Sequence, residues 1–432
     1  MGLPARQVEL LADVSRRIAE AQKPVRILRA LAWPESVERE FFAARAERLP
    51  APSYRAPRGL DDTRAELAAI RARVPGDNEL ERFLRETCES WEAGARLLAA
   101  VGTREFYARS VECYGRPDSL SCDGKTTNTA LAEHFDRVMA AYAGADLRSG
   151  ARAVDAADVA FQLEERLRAH FSYGAQDGAK VPIRCEIAES LSANAVTSAD
   201  VIKIKRGAAF TERDVEQLLA HEGHVHLGTT LGGRAQPVVA CLSTGAPRTT
   251  RTQEGLAIFA EFITHAMDLD RLRRLTDRIL AIRMSEQGAD FLELYRFFLE
   301  RGHAEGAAFD GARRVVRGGL VSGGAPFTKD VVYLDGLLRV AEFLRVALTR
   351  GRSHWVRLLF AGKLALEDVP LVDVLAGEGL VAEPKFLPPW ARDLGFLTAQ
   401  MAFSVFLERG DLAATGAYYE ERVESASRMR RA

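Results

Sequence analysis

Apolar residues in the first third of the chain recur at three- and four-residue steps. This spacing predicts a series of amphipathic helices from the start of the chain to about Gly144. A proline-rich stretch, PAPSYRAP at 50–57, interrupts the series. We therefore expect a helical N-terminal region whose core includes Val8, Leu11, Val14, Ile18, Val37, Phe41, Phe42, Leu67, Ile70, Phe83, Trp91, Leu97 and Phe106.

The pattern then changes from helical to strand-like and back again. One more helix is expected near Asp155 to Phe171, after which VPIRCEI at 181–187 and DVIKIKRG at 200–207 alternate as strands do. A Gly-, Thr- and Pro-containing stretch at 231–251 is typical of a loop that shapes a pocket, and helices resume from Glu254. The fold class expected is α+β, predominantly α-helical, with a small β-sheet.

Several chemical groups fall together at 211–226, TERDVEQLLAHEGHVH. Thr211 and Asp214 have the spacing of a helix start, and the end of the helix carries His221, Glu222, His224 and His226. His221 and His226 lie about 140° apart on a regular α-helix, so both can face one ion only if the turn widens, as in a π-helical segment. Gly223 would ease such a distortion.

His221 and His224 are about 60° apart and need no distortion, so geometry alone leaves the second imidazole ligand open. The structural alternative is a polar helix end with histidines near the negative pole of the dipole. Glu222 lies on the apolar face and argues against that alternative, because an unpaired carboxylate is costly to bury. Its carboxylate is the candidate proton acceptor from metal-bound water.

A third ligand is expected from Glu254 in TQEGLAIFAEF, 28 residues after His226 (254 − 226 = 28). Thr252 or Gln253 would start a second helix, on which Glu261 or His265 could orient a ligand from behind. A catalytic zinc site normally has three protein ligands and one position for water.

These residues resemble a known family. HEGHVH, as H-E-x-x-x-H, followed by TQEGLA, is similar to the QEGLA-motif metallopeptidases, which include tubulin tyrosine carboxypeptidases and bacterial proteins called flavohaemoglobin-expression modulators. The resemblance extends through Gln236-Pro237 and RGGLVSGGAPFTKDVVYLDG at 317–336. It implies a zincin-like fold with Zn²⁺ on His221, His226 and Glu254, and with Glu222 as general base. The widened turn follows from His226 as ligand, although this chain departs from the family in carrying a histidine at position 224.

The glycine-rich approach to the helix expected at 328–344 suggests an anion site. Thr328 is the expected N-cap, and Arg317 and Lys329 flank the helix start with fixed positive charge. In a carboxypeptidase the fitting anion is the terminal carboxylate of the substrate, which Arg317 would hold in a bidentate fork. Tyr333 could then donate a hydrogen bond to the oxyanion.

Composition limits the classes of partner. The chain has 432 residues and a net charge of −1, which gives no general attraction to nucleic acid or membranes. Five widely spaced cysteines without a C-x-x-C motif, Cys122 among them, are typical of reduced thiols. No long apolar run suggests a signal peptide or a membrane span, so a cytoplasmic location is expected.

Together these observations predict a zinc metallopeptidase, most simply a carboxypeptidase that acts on a peptide or protein C-terminus. A helical region at 1–150 would precede the zincin-like catalytic region at 151–432, and the two could pack as one unit. Removal of a C-terminal tyrosine or other aromatic residue is implied by the resemblance alone. The alternatives are a non-catalytic metal-binding regulator and a zinc endopeptidase or aminopeptidase.

Overall fold

The structure is a computed structural model that describes residues 3–121, 123–142, 152–172, 183–189, 191, 193–198 and 200–407. The chain divides into two compact units, Met1–Pro388 and Pro389–Ala432. The domain boundary expected near residue 150, the cysteine at 122, the strand residues 181–182 and the tail at 422–432 lie outside the described residues.

Seven helices precede residue 143 in the described part of the chain, as the apolar spacing predicted. Leu11, Val14 and Ile18 of the first helix are buried, and Asn78 caps the fifth by accepting a hydrogen bond from the Glu81 N–H at 3.0 Å. The helices are α1 (Ala5–Ala21), α2 (Ile27–Ala30), α3 (Glu35–Ala43), α4 (Leu60–Ala72), α5 (Glu79–Ala99), α6 (Glu105–Tyr114) and α7 (Asn128–Ala140).

A small mixed sheet follows, with the strand order β2-β4-β3. Strand β4 (Val201–Lys205) pairs in parallel with β2 (Arg184–Ala188) and antiparallel with β3 (Ala195–Ser198), so β3 is an edge strand. Helix α8 (Ala156–Ser172) packs its apolar face against the sheet. A second, two-stranded sheet joins β1 (Ala153–Val154) to β5 (Phe210–Thr211). The predicted α+β class with a small sheet is confirmed.

The segment after the sheet is more helical than predicted. Helix α9 (Glu212–Leu218) runs into a π-helix, Leu219–Leu227, and then into α10 (Gly228–Arg234). The prediction of a loop over 231–251 is wrong at both ends, because α10 occupies its start and α11 (Pro247–Ile263) begins within it. Glycine at positions 232 and 233 lets α10 pack closely against neighbouring backbone. A Cβ atom on Gly232 would lie 2.0 Å from the carbonyl oxygen of Phe360, and one on Gly233 would lie 2.2 Å from that of Leu242.

Helix α11 therefore begins at Pro247, five residues before the expected start at Thr252. Proline suits the first helical position because a backbone N–H there would have no acceptor within the helix, so its absence costs no hydrogen bond. The later helices of the first unit are α12 (Leu269–Glu286), α13 (Phe291–Glu300), α14 (Glu305–Val316), α15 (Val332–Thr349), α16 (Trp355–Leu358) and α17 (Val369–Gly377). The described part of the second unit comprises α18 (Pro389–Arg392) and α19 (Leu394–Leu407).

The predicted N-cap at Thr328 is also wrong. A 3₁₀ turn, Thr328–Val331, precedes α15, and the Thr328 hydroxyl lies 2.9 Å from the Ser110 hydroxyl of α6 instead of capping the helix. The Thr328 N–H also donates to Ser110, at 2.8 Å. Buried polar groups need a partner, and here the N-terminal helices supply it.

The described cysteines Cys88, Cys113, Cys185 and Cys241 are free thiols, as predicted. Burial raises the pKa of the first three to about 12 and that of Cys241 to about 11. None of the described helices is long and apolar enough to cross a membrane.

Helices α11 and α15 cross at unusually short range. A Cβ atom on Gly255 of α11 would lie 2.2 Å from the carbonyl carbon of Gly336, and one on Gly336 would lie 2.3 Å from the Arg251 carbonyl oxygen. Only glycine at both positions permits this approach. The contact matters for the site because Gly255 directly follows Glu254.

We expect Gly255→Ala to lower the free energy of unfolding by about 2 kcal/mol, because overpacking a close helix contact costs about 1–3 kcal/mol. The measurement is the denaturant midpoint against the wild type. Gly306→Ala in α14 is the matched control, since a Cβ there meets nothing within 4 Å and alanine is the better helix former. Equal stability of the two variants would contradict the close crossing.

Candidate active site

The π-helix is what brings two histidines together. Thr211 and Asp214 form the predicted capping box at the start of α9, and the following segment changes from α- to π-helical hydrogen bonding at Leu219. Because π-helical bonds link residues five apart, His221 and His226 lie on one face, with their ring centroids 4.8 Å apart. The predicted widened turn is confirmed.

Gly223 has a packing role inside this widened turn. A Cβ atom there would lie 2.6 Å from Cδ2 of Leu167, a fully buried residue of α8. Glycine therefore lets the π-helix press against α8 and the sheet behind it. His224 faces the same region: its ring centroid is 4.7 Å from that of His170 on α8.

Glu254, one residue before the α11–α15 crossing, approaches both imidazoles. Its Oε2 atom lies 3.6 Å from Nε2 of His221 and 3.6 Å from Nε2 of His226. That oxygen is buried and makes no hydrogen bond with the described residues, whereas Oε1 accepts one from Nζ of Lys329 at 2.6 Å. Burial opposes ionisation, but Lys329 and the two imidazoles hold the pKa of Glu254 well below its usual range.

Glu261 orients His221 from behind, two turns along α11. Its Oε1 atom lies 2.6 Å from Nδ1 of His221, and Arg271 of α12 donates to both of its oxygens at 2.9 Å. Burial acts against these charges, yet Arg271 and His221 lower the pKa of Glu261 to about 2. Burial likewise disfavours the imidazolium, but Glu254 and Glu261 raise the pKa of His221 to about 10. Of the two candidate orienting residues, His265 is exposed and follows the end of α11.

Glu222 points its carboxylate to the edge strand of the sheet. Its Oε2 atom accepts a hydrogen bond from the Thr197 N–H at 2.8 Å and lies 2.6 Å from the Thr197 hydroxyl. Its Oε1 atom is 4.0 Å from Nε2 of His221. The sequence predicted strands at 181–187 and 200–207 but not β3, so this role of Thr197 was missed. A single threonine at position 197 gives no signal of a contact with Glu222.

A cavity of about 630 Å³ lies beside these residues. Its lining includes His221, Glu222 and Tyr333. Four arginines also line it, and sequence reasoning missed all of them: Arg271, Arg274, Arg278 and Arg314. The first three recur at steps of three and four residues on α12, and this spacing along one helix face is the signal that could have found them.

The three residues proposed from the sequence for substrate binding are placed differently from one another. Tyr333 lines the cavity. Lys329 lies behind it, with Nζ 2.6 Å from Glu254 and 3.3 Å from the Tyr333 hydroxyl. Arg317 is 2% exposed and is not among the residues that line the cavity; its guanidinium lies 5.4 Å from the centre of the Phe327 ring.

Among the described residues, donor atoms of His221, Glu222 and His226 lie within 4.8 Å of one another, as those of a metal site do. Glu254 completes the cluster through the 3.6 Å approach of its Oε2 atom to both imidazoles. Two imidazoles and a carboxylate are a donor set that zinc accepts, with a second carboxylate, that of Glu222, left for proton transfer.

Comparison with known proteins shows a family to which the chain is similar. The family model described as microtubule-associated tyrosine carboxypeptidase matches residues 39–409, a range that includes every residue of this site. No curated protein matches the chain.

Proposed function

The chain belongs to the microtubule-associated tyrosine carboxypeptidase family, and we propose that it is a zinc-dependent carboxypeptidase with Zn²⁺ on His221, His226 and Glu254. Family membership makes it an enzyme of carboxypeptidase type. The proposal adds the metal, the role of each residue and the substrate.

The main support for a metal is the Oε2 atom of Glu254, which has no hydrogen-bond partner among the described residues. A buried carboxylate oxygen without a partner is costly, and this one faces two imidazole nitrogens at 3.6 Å. Zinc–ligand bonds of about 2.0–2.1 Å in a tetrahedral site put the donors about 3.3 Å apart, which is close to the observed separation. One cation among these three atoms would satisfy all of them at once.

Glu222 is better suited to proton transfer than to ligation. Thr197 occupies its Oε2 atom, so only Oε1 remains for the reacting groups. The bound ion would supply Lewis-acid polarisation of the scissile carbonyl and lower the pKa of the attacking water. Glu222 would take the proton from that water at Oε1 and later deliver it to the leaving amine.

The surrounding residues would hold this arrangement in place. Glu261 fixes the ring of His221 so that Nε2 faces Glu254, and Lys329 holds Glu254 in its ionised form. Tyr333 lines the cavity, and its hydroxyl would donate to the oxyanion that develops on the carbonyl. The sequence suggested Arg317 for the substrate carboxylate, but Arg317 is not among the residues that line the cavity, so we do not assign it that contact.

The proposed substrate is a peptide or protein with a free C-terminus, and tyrosine is the first residue to test because the family description names it. A cytoplasmic location remains a prediction, consistent with the free thiols. The alternative of a non-catalytic metal-binding regulator predicts no turnover of a C-terminally diverse peptide library. An endopeptidase or aminopeptidase would cleave peptides whose C-terminus is amidated.

We expect Glu222→Gln to lower kcat by about 100-fold or more, because the amide cannot accept the proton of the attacking water. Zinc content, measured by elemental analysis of the purified variant, should stay at the wild-type level. Turnover within a few-fold of wild type would remove Glu222 from the mechanism, and loss of zinc would make it a ligand instead.

We expect Glu261→Gln to weaken zinc binding by about 10- to 100-fold, because the group that orients His221 loses its charge. Competition with a chelator measures the affinity. Glu216→Gln is the matched control, since Glu216 pairs with Arg166 at the surface, 2.6 Å away, and contacts no member of the site. If both variants bind zinc as the wild type does, Glu261 has no part in holding the metal.

We expect Thr197→Val to lower kcat by about tenfold with KM nearly unchanged, because the hydroxyl that positions Glu222 is lost while the backbone N–H remains. Thr197→Ser keeps the hydroxyl and should restore most of kcat. A threonine that only fills space would give the opposite order, with valine, which has nearly the same shape, better tolerated than serine.

A further inference from the structure

The cationic wall of the cavity is built from two helices. Arg271, Arg274 and Arg278 share one face of α12, and Arg314 comes from α14. Such a concentration of guanidinium groups in a partly enclosed space repels further cations and attracts anions.

Two of the four arginines already have carboxylate partners. Arg271 forms a two-point contact with Glu261, and Arg314 forms one with Asp330, at 2.7 and 2.9 Å. These pairs are the bidentate contacts in which arginine binds carboxylates most strongly. Neither guanidinium is free for a strong new contact.

Arg278 and Arg274 differ from that pair. The nearest acid to Arg278 is Asp330, whose Oδ2 atom is 3.6 Å from Nε and already accepts from Arg314. The Arg278 side chain is 15% exposed, and neither Arg278 nor Arg274 donates a hydrogen bond to any residue that the structure describes. Burial lowers the pKa of both groups, that of Arg278 to about 9, with the Arg314 charge adding to the effect at Arg278.

Guanidinium groups that are largely buried and donate no hydrogen bond to an acid are costly unless a ligand brings a further anion. The acids at the cavity lining, Glu38, Asp214, Glu222 and Asp310, do not fill this role, because none of them has an oxygen within 4.0 Å of a guanidinium nitrogen of Arg274 or Arg278. Asp310 pairs instead with Arg313 at 2.6 Å, and Asp214 accepts from Thr211 in the capping box. An anion from outside the chain is therefore the fitting partner.

The arginine wall and the candidate metal ligands belong to one space. His221, Glu222 and Tyr333 line the same cavity. The Tyr333 hydroxyl is 3.3 Å from Nζ of Lys329, which in turn donates to Glu254. In a carboxypeptidase substrate only one residue separates the scissile bond from the terminal carboxylate, about 3.5 Å of chain. A cavity of about 630 Å³ can hold one aromatic residue across that distance.

We propose that Arg278, together with Arg274, binds the terminal carboxylate of the substrate and so makes the enzyme an exopeptidase. This inference rests on the proposed function, because it places the last residue of the substrate between the arginines and Glu222. The planar fork of arginine matches the two oxygens of a carboxylate, which no peptide carbonyl provides.

The test compares two peptides that end in tyrosine and differ only in a free or amidated C-terminus. Turnover is measured with the wild type, Arg278→Met, Arg274→Met and the control Arg273→Met. Arg273 is a suitable control because it lies on the same helix, its side chain is 35% exposed and its guanidinium is 3.5 Å from Asp270. Binding of both peptides is measured in parallel with the zinc-loaded Glu222→Gln protein, alone and combined with each arginine change.

We expect Arg278→Met to lower kcat/KM for the free acid by about 100-fold, mainly through KM, because a buried charge contact is lost. Arg274→Met should have a smaller effect in the same direction, and Arg273→Met none. In the binding measurement, the preference for the acid over the amide should disappear with Arg278→Met. Arg278→Lys should recover only part of it, because lysine lacks the fork.

The outcomes separate the two proposals. If the wild type cleaves the acid and Arg278→Met and Arg274→Met behave as Arg273→Met does, the arginine assignment is wrong and the carboxypeptidase stands. If nothing is cleaved but the acid binds more tightly than the amide in an Arg278-dependent manner, the carboxylate site stands and the hydrolase proposal falls. Absence of both cleavage and acid-selective binding overturns both.

Discussion

The geometry of the site depends on one buried carboxylate, that of Glu254. One of its oxygens accepts from Lys329, and the other faces the Nε2 atoms of His221 and His226 at equal distance. A carboxylate in the protein interior stays ionised only when fixed positive charges surround it. Its position is set by the close crossing of α11 and α15, because the neighbouring Gly255 leaves no space between the two helices. Helix packing thus fixes Glu254 relative to Lys329, and the Thr229 hydroxyl, which donates to Oε1 of Gln253 at 2.8 Å, ties α11 to the segment that carries the histidines.

Around the site, the acids and the cations that pair with them come from different segments of the chain. Helix α11 carries the acids Glu254 and Glu261, while the cations that meet them, Lys329 and Arg271, come from the turn before α15 and from α12. A buried ion pair adds little net stability, but removing one partner leaves a charge that is expensive to bury. These pairs therefore lock the relative positions of three segments. An orienting acid behind His221 and an ammonium beside Glu254 are both consequences of this arrangement.

Much of the structure was predictable from local sequence, and the failures have physical causes. The five-residue spacing of His221 and His226 predicted a widened turn because only one helical geometry puts both rings on the same face. Gly232 suggested a loop, but there glycine permits close helix packing, which depends on a distant carbonyl oxygen that local sequence cannot reveal. Thr197 was missed for a related reason, because its role arises from Glu222 on another element. The helical spacing of Arg278 with Arg271 and Arg274 is visible in the sequence, but the lack of an acid of its own at Arg278 is not.

Conformational stability and ligand recognition compete at the arginine wall. Each of the guanidinium groups of Arg271 and Arg314 has a complete carboxylate partner, so they contribute to holding α12 and α14 in place. Arg278 shares an acid that is already occupied, and the free protein therefore bears a desolvation cost that a better-paired or apolar side chain would avoid. This desolvation cost is recovered only when a ligand brings a negative charge to Arg278. The ligand then binds a guanidinium that is already in position, so no further free energy is spent on ordering that side chain. In this fold the arginines that stabilise the helices and the arginine best placed to select a substrate differ in one respect, which is whether the acid within reach is already taken by another arginine.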